Sequence, residues 1–489
     1  MSTPHLFPRP AAGSRARLNR RRFLQRSAAA ASALALPGWV PASALGADGP
    51  APANARIGVG LIGVGAMGSG HLRRLAGDPD VQLVAVCEVD RERRERACQT
   101  ANEMYAAAGR PGRCAAYHDY RDLLARADVD AVVIATPDHW HALQSVDAAR
   151  AGKDVYCEKP ISVTIEEGRR VVAAVRRYGR VFQTGTQYRS IPALRAAIAF
   201  IRAGGLGRVR HVFTQLHTLA GWLGSGRCAP YRAVLNPEVT GRSYTPLDFA
   251  LPAEPVPEGL DWELWVGPAP WRPYHRLYHE NPSPGVVPWA FSAAFGVTSN
   301  TWFLSHAADV IQYALGVEES GPVEIVHPAA GEFPTLTMRY ADGVLLHFIQ
   351  DWPQVQALYP GVLPDTARVA GMFGGLFVGE RGWLAVLYHN GPAVTGGPEG
   401  LLEEMKEKTR DVTLGARDHH ANWLQGVRTR RPPSCPEELG HRTATLGHLT
   451  NIAYWTGRSL RWDPAAEVFA DCEAANRLRA RLPRPPWRW

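Results

Sequence analysis

Lysine is nearly missing from this chain: four in 489 residues (Lys153, Lys159, Lys406 and Lys408) beside 50 arginines. Long apolar runs are absent too. No stretch approaches the roughly twenty residues that a membrane-spanning helix needs, which excludes stable insertion in a bilayer. The seven cysteines (Cys87, Cys98, Cys114, Cys157, Cys228, Cys435, Cys472) are an odd number and form no C-x-x-C pair. A zinc ribbon and a dense disulfide framework are thereby excluded, although one or two bridges could form in an oxidising compartment. There is no basic run beyond Arg26. Seven arginines precede the first acidic residue, Asp48, and without them 47 basic side chains face 46 acidic ones. Nucleic-acid binders rely on clustered positive charge, so a nearly neutral body argues against that class. At 46% hydrophobic and 20% charged, the chain reads as globular and long enough for two domains.

The basic surplus has a place. Asn19-Arg20-Arg21-Arg22-Phe23-Leu24-Gln25 precedes a small apolar run over 27–36, followed by the small-residue sites Ala42-Ser43-Ala44 and Ala44-Leu45-Gly46-Ala47. This resembles a twin-arginine export signal over 1–46. It implies recognition by the twin-arginine machinery and a periplasmic or secreted protein, with 47–55 as a linker.

Strand and helix then alternate. Strands are expected at 56–62, 81–86, 131–135, 154–157 and 181–183, and helices at 67–75, 91–108, 119–125, 141–151 and 164–178. This is a doubly wound α/β domain with a parallel sheet over 56–185. From 186 to 489 the pattern becomes α+β. Helices are expected at 191–203, 305–315, 420–428 and 438–454, and strands at 209–217, 323–326, 336–340, 344–350, 376–378 and 383–387. Two of the strand pairs close as hairpins, so the sheet should be mostly antiparallel. Residues 218–290, rich in Pro, Trp and Gly, read as irregular.

Two frames fit G-x-G-x-x-G, Gly58-Gly60-Gly63 and Gly63-Gly65-Gly68. The motif needs a full strand before it and a helix N-terminus after it, so that backbone N–H groups meet a pyrophosphate. Only the second frame has both, which makes Gly63, Val64, Gly65, Ala66, Met67 and Gly68 the candidate dinucleotide loop. Glu88, at the end of the second strand, is placed to accept hydrogen bonds from the ribose hydroxyls of NAD. Arg91, Arg93 and Arg94 leave NADP open.

The arginine bias spared Lys159 in Cys157-Glu158-Lys159-Pro160. A lysine can shift its pKa towards neutrality and share a proton with a hydroxyl; a guanidinium cannot. Together with Ala135-Thr136-Pro137-Asp138-His139-Trp140-His141, Gly185-Thr186-Gln187-Tyr188-Arg189-Ser190, residues 262–267, Gly457-Arg458 and Trp462-Asp463-Pro464, these motifs resemble the glucose-fructose oxidoreductase, inositol dehydrogenase and rhizopine catabolism (Gfo/Idh/MocA) family over the chain after residue 55.

The resemblance implies an enzyme, a nicotinamide-dependent oxidoreductase of sugar or polyol CH–OH groups. It places Thr136, Pro137, His139, His141 and Glu158 along the nicotinamide side, Lys159 between nicotinamide ribose and substrate, and Gln187, with Tyr188 and Arg189, in the same pocket. A metal held by His139 and His141 is not expected, since an i,i+2 pair does not share a helical face. Alignment through Asp309 sets His306 on the family's catalytic histidine and Trp302 where the family carries aspartate. His306 is then a candidate base with Asp309 beside it, Trp302 a platform for a sugar face, and Asn300 a polar contact. A homo-oligomer is expected by the same resemblance. Export implies a tightly bound NAD that is regenerated in place, by a second carbonyl substrate or by a redox-neutral glycosidase cycle. A sugar-binding protein on a dehydrogenase scaffold is the non-catalytic alternative.

Overall fold

The computed structural model describes residues 55–489, apart from 111, 217–244, 246–247, 249–250, 281–287, 389–390, 392 and 415–417, and apart from the side chains of 288, 298–303 and 413–414. The expected export segment, 1–46, lies outside the described residues.

The first sheet holds six parallel strands in the order β3-β2-β1-β4-β5-β6: β1 (Ile57–Ile62), β2 (Val81–Cys87), β3 (Ala115–Tyr117), β4 (Ala131–Ile134), β5 (Asp154–Cys157) and β6 (Phe182–Thr184). β1 and β4 are buried at every residue, as strands covered by helices on both faces must be. The helices are α1 (Ala66–Gly77), α2 (Arg91–Ala107), α3 (Tyr120–Leu124), α4 (Asp138–Arg150) and α5 (Ile165–Tyr178). β3 is too short to show in the sequence pattern. α4 begins three residues earlier than expected. Pro137 at its N-cap holds φ at −60° and starts the turn before the apolar periodicity sets in. This brings Asp138 and His139 into the first turn.

α6 (Pro192–Arg202) leads into the second sheet, nine strands in the order β13-β12-β11-β7-β10-β9-β8-β14-β15. Its members are β7 (Val209–Gln215), β8 (Glu324–Val326), β9 (Thr337–Arg339), β10 (Leu345–Ile349), β11 (Met372–Gly379), β12 (Gly382–Tyr388), β13 (Val394–Gly397), β14 (Leu460–Asp463) and β15 (Val468–Phe469). Among the described residues, only β7 and β10 of this sheet pair in parallel. Of the stretch expected to be irregular, the described part contains short helices at Trp262–Val266 and Arg276–His279.

α7 (Thr298–Leu315) starts seven residues before the expected 305. Its Leu304, Ala308 and Ile311 pack with Leu446, Leu449 and Ile452 of a later helix and with Phe377, Leu384 and Val386 of the sheet. The C-terminal helices are α8 (His419–Thr429) and α9 (Glu437–Thr456). α8 returns to the first sheet. Its fully buried Trp423 joins the core of Val181 and Tyr156, and beyond it Cys435 accepts from the Thr184 N–H at 2.9 Å and donates its own N–H to Gln183 at 3.1 Å.

Candidate active site

In an open α/β sheet the crevice forms where strand order reverses. Here that point lies between β1 and β4. The Gly63 N–H bonds the Cys87 carbonyl and the Ala135 N–H the Ile62 carbonyl, each at 2.9 Å, so the loops after β1, β2 and β4 meet. A cavity of about 520 Å³ opens there.

The glycine loop is built for close approach by a ligand. Gly63 has φ +86°, and a Cβ on it would sit 2.8 Å from the Ala135 backbone; a Cβ on Gly68 would meet the Gly63 carbonyl at 2.0 Å. Gly65, by contrast, faces open space, with nothing within 4 Å of an added Cβ. The first and third glycines therefore serve the fold, and the second leaves a cradle for a pyrophosphate at the start of α1. Glu88 borders this cradle. Its carboxylate accepts from the backbone N–H groups of Val64 (3.0 Å), Val89 (2.9 Å) and Asp90 (3.2 Å), which fix it at the rim. Arg94 donates to the Glu88 carbonyl at 2.6 Å, and Arg93, also on the cavity wall, lies 3.5 Å from Asp90. The residues present fit a dinucleotide.

The loop Glu158–Val163 is anchored downstream at the start of α5: the N-cap Thr164 accepts from the Glu167 N–H, and the Glu167 carboxylate from the Val163 N–H. This rigid exit presents Lys159 to the cavity. Burial lowers the Lys159 pKa, against the pull of Glu158 and Asp138, which favour the ammonium. Burial raises the Asp138 carboxyl to about 8, with Lys159 acting against it and Glu158 adding to it. Asp138 is 1% exposed and faces the same cavity. In the sequence Asp138 shows only as a carboxylate between Pro137 and His139, and no role follows from that position alone. For Glu158, burial acts upward, but the hydrogen bond from His71 and the charge of Lys159 leave the carboxyl below its ordinary range. His71 was missed as well, being one polar residue on the buried face of α1.

Of the sequence candidates, Gly63, Gly65, Ala66, Met67, Glu88, Thr136, Pro137, His141, Glu158, Lys159, Tyr188 and His306 line the cavity. Val64 and Gly68 support the loop from behind. His139 is not on the wall: its Nδ1 and Nε2 lie 3.1 Å from the Phe295 and Trp265 carbonyls, so it ties α4 to the second domain. His141 faces the carbonyls of Pro160 and Thr136, both at 2.7 Å, and links the Lys159 loop to the β4 loop. Burial keeps both imidazoles below their usual pKa, His139 at about 3, so each neutral ring donates to one of its two carbonyls. Gln187 stands behind Glu158, donating to its Oε1 at 3.2 Å.

Two further expectations are corrected. Arg189 and Asp309 do not reach the cavity or orient His306. They form a buried bidentate ion pair of 2.8 and 2.5 Å that joins the turn Gln187–Ser190 to α7. An arginine without solvent around it needs such a partner, and the carboxylate three residues after His306 supplies it. His306 is contacted instead by Tyr188, whose ring stacks on the imidazole at 4.0 Å and 17°. Phe373 (φ +60°) and Trp289 complete this end. Asn300 and Trp302 lie in the first turns of α7, with side chains outside the described residues.

Two family models match the chain. One, the oxidoreductase family with an NAD-binding Rossmann fold, covers residues 57–186. The other, the oxidoreductase family's C-terminal alpha/beta domain, covers 244–357 and 402–489. Together they span more than half of the sequence. An inositol 2-dehydrogenase of Salmonella typhimurium is 39% identical over 128 residues, 26% of this chain and 35% of that protein. A glycosyl hydrolase family 109 protein of Shewanella pealeana is 31% identical over 175 residues, 33% of this chain and 38% of that protein. The matches thus cover little more than a third of either relative. The WlbA dehydrogenase of Chromobacterium violaceum, solved in complex with NADH and UDP-GlcNAcA, shares the fold at 16% identity and a TM-score of 0.53, over 85% of this chain and 98% of that one. On the two family models, with the cradle at Gly65 and the buried Lys159 facing it, this chain belongs to the Gfo/Idh/MocA family of NAD-binding oxidoreductases.

Proposed function

We propose that the protein oxidises and reduces a CH–OH group of a sugar or polyol, with Lys159 and His306 as the proton-transfer residues. The observation that carries this reading is the wall they share. A buried lysine of lowered pKa and a histidine held by Tyr188 face one cavity beyond the dinucleotide cradle. NAD, when bound, supplies the hydride acceptor. Glu88 and the glycine loop hold the dinucleotide, Lys159 and His306 exchange the hydroxyl proton, and Tyr188 and Phe373 offer ring faces to a sugar. Glu88 at the rim favours NAD over NADP by repelling a 2′-phosphate. The signal-like N-terminus supports export by the twin-arginine route, with the nucleotide carried along and re-used. Assembly into a homo-oligomer is part of the same proposal.

A second reading has its own support in the likeness to the family 109 glycosyl hydrolase. Transient oxidation at a sugar C3 would acidify the C2 proton, and elimination, hydration and reduction would complete a redox-neutral glycoside cleavage. One experiment separates the two. The purified protein is analysed for co-purifying nicotinamide and incubated with myo-inositol, glucose, UDP-linked sugar acids and p-nitrophenyl glycosides. NADH appearing without aglycone release supports the dehydrogenase. Aglycone release without net NADH supports the glycosidase. Failure with every compound, with added NAD present, defeats both.

A further inference from the structure

Behind Lys159, two histidines connect the cavity wall with the protein surface. His71 places Nε2 3.0 Å from Oε1 of Glu158 and Nδ1 3.0 Å from Nε2 of His420. His420, near the N-terminus of α8, stacks on Tyr156 at 4.5 Å and 15°. Its backbone N–H bonds Asp418 at 3.0 Å, and Asp418 pairs with Arg74 through side chains 50% and 42% exposed. His420 itself keeps 7% of its surface open, so the row Glu158, His71, His420 runs from the cavity to the foot of a surface ion pair.

Hydrogen-bond chemistry gives this row a direction. An ionised carboxylate only accepts, so Nε2 of His71 carries its proton. With that one proton on its ring, His71 only accepts at Nδ1, so Nε2 of His420 donates, and the lone pair of His420 is on Nδ1. Burial, with His71, Arg74 and His419 nearby, holds His420 down to about 2, so it is neutral at rest. Tyr156 and the more distant Asp418 carboxylate complete its surroundings.

We propose that His71 and His420 are a proton relay between solvent and Glu158 that serves Lys159. The proposal rests on the oxidoreductase reading of Lys159. Each carbonyl reduced takes up one proton from solvent and each hydroxyl oxidised releases one, while the electrons travel only with the hydride. In the arrangement present, a proton adds to Nδ1 of His420, the Nε2 proton of His420 passes to Nδ1 of His71, and the Nε2 proton of His71 passes to Glu158. Glu158 then restores the proton that Lys159 has given to the substrate oxygen. At each hop one bond to hydrogen breaks as the next forms, and both rings finish in the opposite tautomer. From there the same row runs outward and exports the proton of an oxidation. Lys159 is 7% exposed in a cavity that a dinucleotide fills, so it needs such a route.

The wiring is tested without turnover by NMR of the full chain labelled with 15N-histidine and saturated with NAD, with His71→Gln and His420→Gln used for assignment. Nε2–H tautomers on both rings are expected; an Nδ1–H tautomer on His71, or a charged His420 at neutral pH, overturns the relay. The kinetic test uses the compound of the panel above that yields NADH. His420→Ala should lower kcat at least tenfold, leave KM and NAD affinity within about twofold, raise the solvent deuterium isotope effect, and recover with added imidazole. An unchanged kcat, or a loss in the folded variant that imidazole does not restore, overturns the relay while wild-type turnover stands. Absence of wild-type turnover defeats the oxidoreductase reading instead, and the tautomers then decide the relay alone.

Discussion

The two walls of the cavity are made in different ways. The wall from the first sheet comes from short contiguous motifs, and its demands fall on the backbone: a left-handed glycine, two helix starts and a lysine just after a strand. The wall from the second domain comes from Tyr188, Trp289, His306 and Phe373, far apart in the chain, and its demands fall on side-chain shape. Backbone geometry admits few residue types and leaves a motif. Shape is met in many ways and leaves almost none.

The sharpest break in this contrast is expected at Lys159. Lys159→Met should lower kcat about 10²- to 10⁴-fold, the range for a lost general acid or base, with NAD affinity nearly unchanged; a loss of affinity as large as the loss of rate in titration and steady-state assays would move the lysine from chemistry to binding. On the other wall, Arg189→Met leaves Asp309 buried without its cation and should cost about 3–5 kcal/mol of stability. Denaturant unfolding measures it, and a loss confined to substrate KM would restore Arg189 to the site.

The glycine loop allows a finer comparison. Gly68→Ala drives a Cβ into the Gly63 carbonyl and should cost about 1–3 kcal/mol of stability. Gly65→Ala meets open space, so its melting temperature without nucleotide should match wild type while NAD binding, followed by calorimetry, is lost. Equal melting losses in both would mean that Gly65 is structural. The last comparison concerns pH. Asp138 is raised when folded, so its contribution is complete below the unfolded value of 3.8 and fades as pH rises towards about 8. The fade amounts to at most about 1.4 kcal/mol per pH unit. Stability curves at pH 5, 6 and 7 should therefore fall less steeply for Asp138→Asn than for wild type; parallel curves would show that Asp138 is ionised throughout.

Legibility in the sequence followed the same division. The first sheet could be read because β1 and β4 are unbroken apolar runs, and Gly63, Glu88 and Lys159 each sit at a strand end, where pattern and chemistry coincide. His306 was reachable only through resemblance. Asp309 was misplaced because helical spacing puts i and i+3 on one face but does not say what else arrives there; Arg189, 120 residues earlier, took the carboxylate. His71 was passed over because it is a lone polar residue on the buried face of α1, and Asp138 because its neighbours in the cavity, Glu158 and Lys159, come from another element.

The docking of α8 on the first sheet has a consequence for how this protein is made. Trp423 and Cys435 complete packing and pairing around β6 and Tyr156, more than 230 residues after that strand leaves the ribosome. The nucleotide domain is therefore not a self-sufficient folding unit, and a fragment stopped near residue 185 would expose the socket of a tryptophan. Loop closure over such a separation is slow. The segment 419–435 acts as a clasp, and NAD-binding competence should appear only after it has been synthesised.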